Sequence, residues 1–81
     1  MADLKDQAPF ETLDVRGKAL PFPLYMTKKK MDQAENGQVL KILCDAPESA
    51  EDSIPRYAEK MGYTFDAVKL ADRWELFIKK T

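Results

Sequence analysis

Two closely spaced prolines, Pro21 and Pro23, constrain the fold of this 81-residue chain more than any other feature. Proline lacks a backbone N–H and is tolerated in a helix only in its first turn, so the pair predicts a helix that begins near Leu20 or Pro21. A stripe of residues at helical spacing follows, made of Leu20, Leu24, Thr27, Met31 and Ala34. Gly37 is predicted to end the helix in a left-handed conformation.

Alternating apolar and polar residues predict four strands, because successive side chains of a strand point to opposite faces. The strands are predicted at residues 12–16, 38–44, 63–70 and 73–79. In the second strand, Leu40, Ile42 and Cys44 share one face. The last two strands are joined by a tight connection at Ala71 and Asp72.

A second helix is predicted between the second and third strands, with Gly62 at its end. The segment from Ser49 to Asp52 fits a capping box, and Pro55 fits a regular helix that starts near Ser53 after a preliminary turn. Two helices can cover only one face of a four-stranded sheet. The predicted fold class is therefore α+β, a two-layer β-α-β-α-β-β sandwich with a four-stranded mixed sheet and two helices on one face.

The chain is long enough for one domain and not for two. Residues 1–10 are polar and are predicted to form a flexible N-terminal arm, which leaves residues 11–81 as the domain. No apolar run resembles a signal peptide or approaches the roughly 20 residues that span a bilayer. We expect a cytoplasmic monomer without a membrane segment.

The composition excludes several kinds of site. The formal net charge is -1, which argues against a global electrostatic grip on nucleic acid. The chain has no histidine, so a zinc site built from histidine and cysteine is excluded, as are Ser-His and Cys-His catalytic pairs. Cys44 is the single cysteine, and no internal disulfide can form. We expect neither a metal nor a cofactor.

Seven short motifs occur in order between Glu11 and Lys80. They are Leu13-Asp14-Val15-Arg16-Gly17, Pro21-Phe22-Pro23-Leu24, Thr27-Lys28-Lys29, Gly37-Gln38-Val39-Leu40, Asp45-Ala46-Pro47, Ile54-Pro55 and Ala58-Glu59-Lys60-Met61-Gly62. Together they resemble the TusA/SirA-like sulfur-carrier family. The resemblance implies the fold of the C-terminal domain of translation initiation factor 3, which agrees with the predicted order of elements.

The resemblance also implies a chemistry. Family members carry a Cys-Pro-x-Pro motif at the start of the first helix. Its cysteine accepts a persulfide sulfur from a cysteine desulfurase or another carrier and passes it on, for example toward thiolation of tRNA. A helix N-terminus suits this task, because its free N–H groups and partial positive charge stabilise a thiolate or persulfide anion. Other members serve sulfur oxidation. Older descriptions call the family redox proteins or regulators of disulfide formation.

Here the motif reads Leu20-Pro21-Phe22-Pro23, and leucine has no sulfur. Leu20 therefore occupies the position of the family cysteine without being reactive. It is either an exposed contact at a docking surface or a member of the buried helix stripe. Cys44 is either a substitute nucleophile or a small buried residue of the core.

The same resemblance and the charge pattern suggest residues that bind a partner: Arg16, Gly17, Pro21, Pro23 and Lys28. Lys28 belongs to a run of three lysines that either meets an acidic partner or a tRNA phosphate or forms a solvated helix face. Arg16 either orients a partner or is an ordinary surface charge.

Three functions stay open at this stage. The first is a family member that cannot carry sulfur at position 20 and docks a cysteine desulfurase or a downstream sulfur-relay or redox protein, with tRNA involved only indirectly. The second is a genuine sulfur carrier whose cysteine was replaced by leucine. The third is an RNA- or ligand-binding module that shares only the fold. Whether the chain is an enzyme depends on which of them holds.

Overall fold

The computed structural model describes residues 4–81. Its elements in chain order are β1 (Glu11–Asp14), α1 (Phe22–Gln33), β2 (Val39–Cys44), α2 (Ile54–Met61), β3 (Thr64–Lys69) and β4 (Trp74–Lys79). The strands form one sheet in the order β1-β2-β4-β3. β1 runs parallel to β2, and the other two pairs are antiparallel. The predicted α+β fold with four strands in a mixed sheet is confirmed.

The main core lies between the sheet and the two helices. Leu40 and Ile42 of β2 are fully buried there and pair with Ile78 and Leu76 of β4. Met31 of α1 and Ile54 and Ala58 of α2 complete the same cluster from the helix side. Both helices therefore cover one face of the sheet, as the period-two and helical stripes predict.

A smaller cluster covers part of the opposite face. Leu4, Val39 and Phe77 are buried together there. Residues 1–3 of the predicted flexible arm lie outside the described residues. Leu4 begins a short 3-10 turn and packs on the sheet, so this part of residues 1–10 contributes to a core rather than standing free of it.

Helix α1 begins later than predicted. Its first residue is Phe22, with Pro21 as the preceding cap and Pro23 inside the first turn. Its buried residues are Pro23, Thr27 and Met31, so Leu20 does not belong to the buried stripe. Lys80 donates from Nζ to the Met31 and Ala34 carbonyls at 3.0 Å each and satisfies the other end of the helix.

The capping box predicted at Ser49 is wrong. Ser49–Ser53 forms a π-helical turn, and within residues 4–81 the buried Ser49 hydroxyl has no hydrogen-bond partner. The regular helix starts at Ile54, as the position of Pro55 predicts, because a proline cannot supply an N–H inside a helix. The left-handed Gly62, with φ of 77°, ends it.

Candidate functional site

The candidate site lies at the sheet edge where the parallel strands β1 and β2 both end. The loop after β1 leads to α1, and the loop after β2 leads to α2. A hydrogen bond joins the two loops: the Gly17 N–H donates to the Asp45 carboxylate, 3.0 Å from Oδ1. Gly17 has a φ of 79°, a left-handed conformation that glycine adopts without the steric cost of a Cβ.

Leu20 is the last residue before the helix cap, and its side chain is 44% exposed. Of the two alternatives left by the sequence, the structure has Leu20 at the surface. Phe22 and Tyr25 in the first turn of α1 are also exposed. Pro23 between them is buried and anchors the helix start to the domain.

The first turn of α1 has few free N–H groups. Pro21 and Pro23 have no N–H, and the Phe22 N–H donates to the Ala19 carbonyl at 3.0 Å. Within residues 4–81, this leaves only the Leu24 N–H of the first turn without a protein partner. The helix end therefore retains its partial positive charge but offers an anion few direct donors.

Arg16 is held by its own strand end. Its guanidinium makes a two-pronged ion pair with Asp14, with distances of 3.0 Å from Nε to Oδ1 and 2.9 Å from NH2 to Oδ2. This hydrogen-bonded arginine lowers the pKa of the Asp14 carboxyl to about 2. Both side chains are about half exposed. Arg16 thus lies at the sheet edge of the candidate site, and its guanidinium is already paired with a carboxylate.

The three lysines of α1 differ in their surroundings. Lys30 pairs with Glu11 at 2.7 Å. Lys28 lies over the Tyr57 ring, 5.7 Å from its centre, and Lys29 lies over the Tyr25 ring. Lys28 faces α2, and it is the one predicted partner-binding residue of the run.

Cys44 is at the end of β2 and is fully buried. Its Sγ donates to the Ala46 carbonyl at 3.6 Å, and burial raises the pKa of the thiol. The site therefore does not combine Leu20 and Cys44 on one accessible surface. The reactivity of Cys44 stays a prediction.

Sequence reasoning missed an apolar concavity at the start of α1. It has a volume of about 410 Å³ and is lined by Pro21, Phe22, Leu24, Tyr25 and Lys28. The only sequence signal for this concavity was that Phe22 and Tyr25 fall outside the buried helical stripe. In the described part of the chain, no three carboxylate or sulfur side chains are grouped to hold a metal ion.

Comparison of the sequence and the fold with known proteins identifies the family of this chain. The family model described as sulfurtransferase TusA matches residues 11–80. The chain belongs to the TusA sulfurtransferase family. A candidate sulfur carrier protein of Archaeoglobus fulgidus is 33% identical over 72 residues, which cover 86% of this chain and 81% of the relative.

Two further relatives extend the comparison. The candidate sulfur carrier protein YedF of Escherichia coli is 34% identical over 61 residues, which cover 75% of this chain and 78% of YedF. The crystal structure of a SirA-like protein from Desulfitobacterium hafniense matches with a TM-score of 0.77 and 29% identity, covering 86% of this chain and 96% of that chain. The TusA family and the fold that its resemblance implied are thus confirmed. None of the helices in residues 4–81 is long and apolar enough to cross a membrane.

Proposed function

We propose that this TusA-family chain is a docking protein of a sulfur relay. It binds a sulfur-transfer or redox partner through the edge formed by residues 17–24 and does not carry sulfur at position 20. The observation that carries the proposal is that the Leu20 side chain is exposed while the chain's one thiol is buried. The motif resemblance implies that Leu20 stands at the position of the family cysteine.

The edge has the properties of a docking surface. Leu20, Phe22 and Tyr25 expose apolar side chains close together in sequence. Contiguous exposed apolar surface with polar surroundings is typical of protein interaction sites. The Gly17–Asp45 hydrogen bond and the buried Pro23 hold this edge in place, so a partner would meet a preformed surface.

The proposed partner is a cysteine desulfurase or a downstream sulfur-relay or redox protein, because the family transfers sulfur between proteins. Such relays operate in the cytoplasm, where we place this chain. A tRNA would be involved only through later members of the relay.

A second candidate is a genuine sulfur carrier whose cysteine was replaced by leucine. Pro21 and Pro23 at the start of α1, and the anchored loop before them, favour it. The motif resemblance implies that the family presents its cysteine on such a scaffold. The natural codon at position 20 distinguishes the two candidates.

The proposal is tested with a cysteine desulfurase charged with radiolabelled sulfur. In Leu20→Cys the new thiolate attacks the outer sulfur of the desulfurase persulfide, the S–S bond breaks, and the desulfurase thiolate leaves. We expect the parent to take up no label, Leu20→Cys to take up label, and Cys44→Ala to change neither result.

Docking is tested by competition in the same assay. An excess of the unlabelled parent should slow sulfur transfer to Leu20→Cys, because both occupy the same surface of the desulfurase. A parent with Leu20→Glu and Phe22→Glu should compete poorly. A rate that the parent does not change would contradict docking of the desulfurase by this edge. Labelling of the parent would instead contradict the proposal that the parent carries no sulfur.

A further inference from the structure

A groove between the two helices continues the docking edge. Three adjoining concavities on the helix layer all have Lys28 in their walls. The first begins at Pro21, the second shares Leu24 with it, and the third shares Lys60 with the second. The surface is therefore one channel, which we call the helix groove, from the start of α1 to the end of α2.

The helix groove is mainly apolar at its start, and further along it apolar side chains lie among charged ones. Leu24 is partly buried, the Tyr57 ring is 8% exposed, and Met61 is exposed at the far end. Between Leu24 and Asp32 the groove follows about 12 Å of α1, at 1.5 Å per helical residue. This length matches two turns of a helix or a short extended segment.

Unpaired positive charge lies on the rim. Among residues 4–81, neither Lys28 nor Lys60 has a carboxylate within ion-pair distance, whereas Arg56 pairs with Asp52 at 2.7 Å. Asp32 is the other carboxylate in the walls, at the far end. The groove walls thus contain three cations and two carboxylates, and one of these carboxylates is already paired. The groove therefore has an excess of positive charge, although the net charge of the chain is -1.

We propose that the helix groove binds a partner protein through a short segment that carries carboxylates next to aliphatic side chains. The aliphatic side chains would lie on Leu24, Tyr57 and Met61, and the carboxylates would pair with Lys28 and Lys60. The proposal rests on the proposed function, since it specifies the partner chemistry at that site.

The apolar walls favour an acidic protein segment over a nucleic acid. A phosphate backbone is bound by many cations and gains little from aliphatic surface. The groove offers two unpaired lysines beside apolar side chains that recur along its length, from Leu24 to Met61. This combination is typical of helix-in-groove recognition, in which apolar side chains at helical spacing bind and charges on the rim select the partner.

The test uses a fluorescent synthetic peptide with leucines at helical spacing and glutamates between them. A second peptide has glutamine in place of each glutamate. Binding is measured by anisotropy at low and high salt, and the contact surface is mapped by amide chemical shifts of the parent. We expect the acidic peptide to bind more tightly, with shifts along residues 21–28 and 57–61.

Lys28→Glu provides the decisive variant, and Lys29→Glu its matched control. Both change the same charge on neighbouring exposed residues of α1, but only Lys28 lines the helix groove. We expect Lys28→Glu to weaken the acidic peptide about tenfold, which corresponds to about 1.4 kcal/mol, and Lys29→Glu to weaken it much less. Met61→Gln should weaken both peptides.

Three outcomes would overturn the proposal: equal loss in the two lysine variants, tighter binding of a short oligouridine than of the acidic peptide, or shifts confined to another face. A different result would show that the sulfur-relay role is wrong while the groove proposal holds. The acidic peptide would then still bind the groove, but the parent would not compete with Leu20→Cys for the desulfurase.

Discussion

The Gly17 N–H donates to the Asp45 carboxylate across the ends of two parallel strands, 3.0 Å from Oδ1 and 3.2 Å from Oδ2. The two residues are 28 positions apart in sequence. Their contact connects the loop that carries Leu20 to the end of β2. The position of the docking edge therefore depends on a carboxylate outside that edge, in addition to the buried Pro23.

Replacement of Asp45 should loosen the edge without disturbing the core. Asp45→Ala removes the only acceptor of this bond, so we expect a loss of about 0.5–1.5 kcal/mol in the free energy of unfolding. Asp45→Asn keeps an acceptor oxygen and should lose less. Urea unfolding measures both effects, and amide exchange at Gly17 should accelerate in Asp45→Ala alone. Equal exchange in the two variants would show that the bond does not hold the loop.

Asp14 predicts a pH dependence at the strand end. The hydrogen bonds from Arg16 lower the pKa of the Asp14 carboxyl from 3.8 to about 2. In the unfolded chain the carboxyl takes up a proton at a higher pH than in the folded chain, so its contribution to stability is present above pH 3.8 and is lost as the pH falls towards 2.

The prediction is measured by comparing Asp14→Asn with the parent in urea at a series of pH values. The stability gap between them should narrow as the solution becomes more acidic, and it should be smaller at high salt because both side chains are exposed. Glu59→Gln serves as a carboxylate control, because Glu59 is exposed and has no ion-pair partner among residues 4–81. A gap that does not change with pH would mean that Arg16 does not act on Asp14 in solution.

Cys44 should react only when the domain opens. It is fully buried, and burial raises the pKa of its thiol, so little thiolate is present at neutral pH. For a domain with about 5 kcal/mol of stability, a thiol reagent should label it about five-thousandfold more slowly in the native state than in urea. Leu20→Cys in a Cys44→Ala background provides the exposed reference and should label at once. Fast native labelling of Cys44 would make it a candidate sulfur acceptor.

The sheet could be predicted from sequence because each inner strand has a clear apolar side. Leu40 and Ile42 alternate with half-buried residues in β2. In β4, Leu76 and Ile78 share one face, and Phe77 between them is buried on the other. A slip of one residue would turn either pair to the other face of the sheet. Burial thus predicts which face of each strand meets the core, whereas the strand order and register come from the structure.

The helix starts were harder to predict, because a proline restricts a helix without defining its first residue. Pro21 is outside α1 as its cap, whereas Pro23 is inside, and each position is compatible with proline. At Ser49, the local pattern favoured a capping box. Pro55 has no N–H for an ordinary helical bond, and the Ile54 N–H instead bonds back to the Ser49 carbonyl, giving the wider π-helical turn.

The helix groove could not be predicted, because it depends on how two helices pack. Sequence shows that Lys28 and Lys60 lie off the buried stripes of their helices. It does not show that both line one channel with Tyr57 between them. A concave surface arises from tertiary packing, whereas periodicity describes one element at a time.

The last prediction concerns a thiol restored at position 20. The N-terminal end of α1 favours an anion, an effect of about 0.3–1 kcal/mol at an exposed site, which corresponds to a pKa lowered by about 0.2–0.7. We expect the lower part of this range for Leu20→Cys, because the residue precedes the cap and within residues 4–81 only the Leu24 N–H of the first turn lacks a partner.

Thiolate absorbance against pH measures this value in a Cys44→Ala background. A peptide of residues 17–24 with the same Leu20→Cys substitution is the unfolded reference. Ala19→Cys is the matched control, an exposed thiol in the same loop but one residue further from the helix. The pKa should increase in the order Leu20→Cys, Ala19→Cys, peptide. If Leu20→Cys folds and titrates like the peptide, the helix end does not act on position 20. The edge would then bind partners without the electrostatic environment that a persulfide carrier needs.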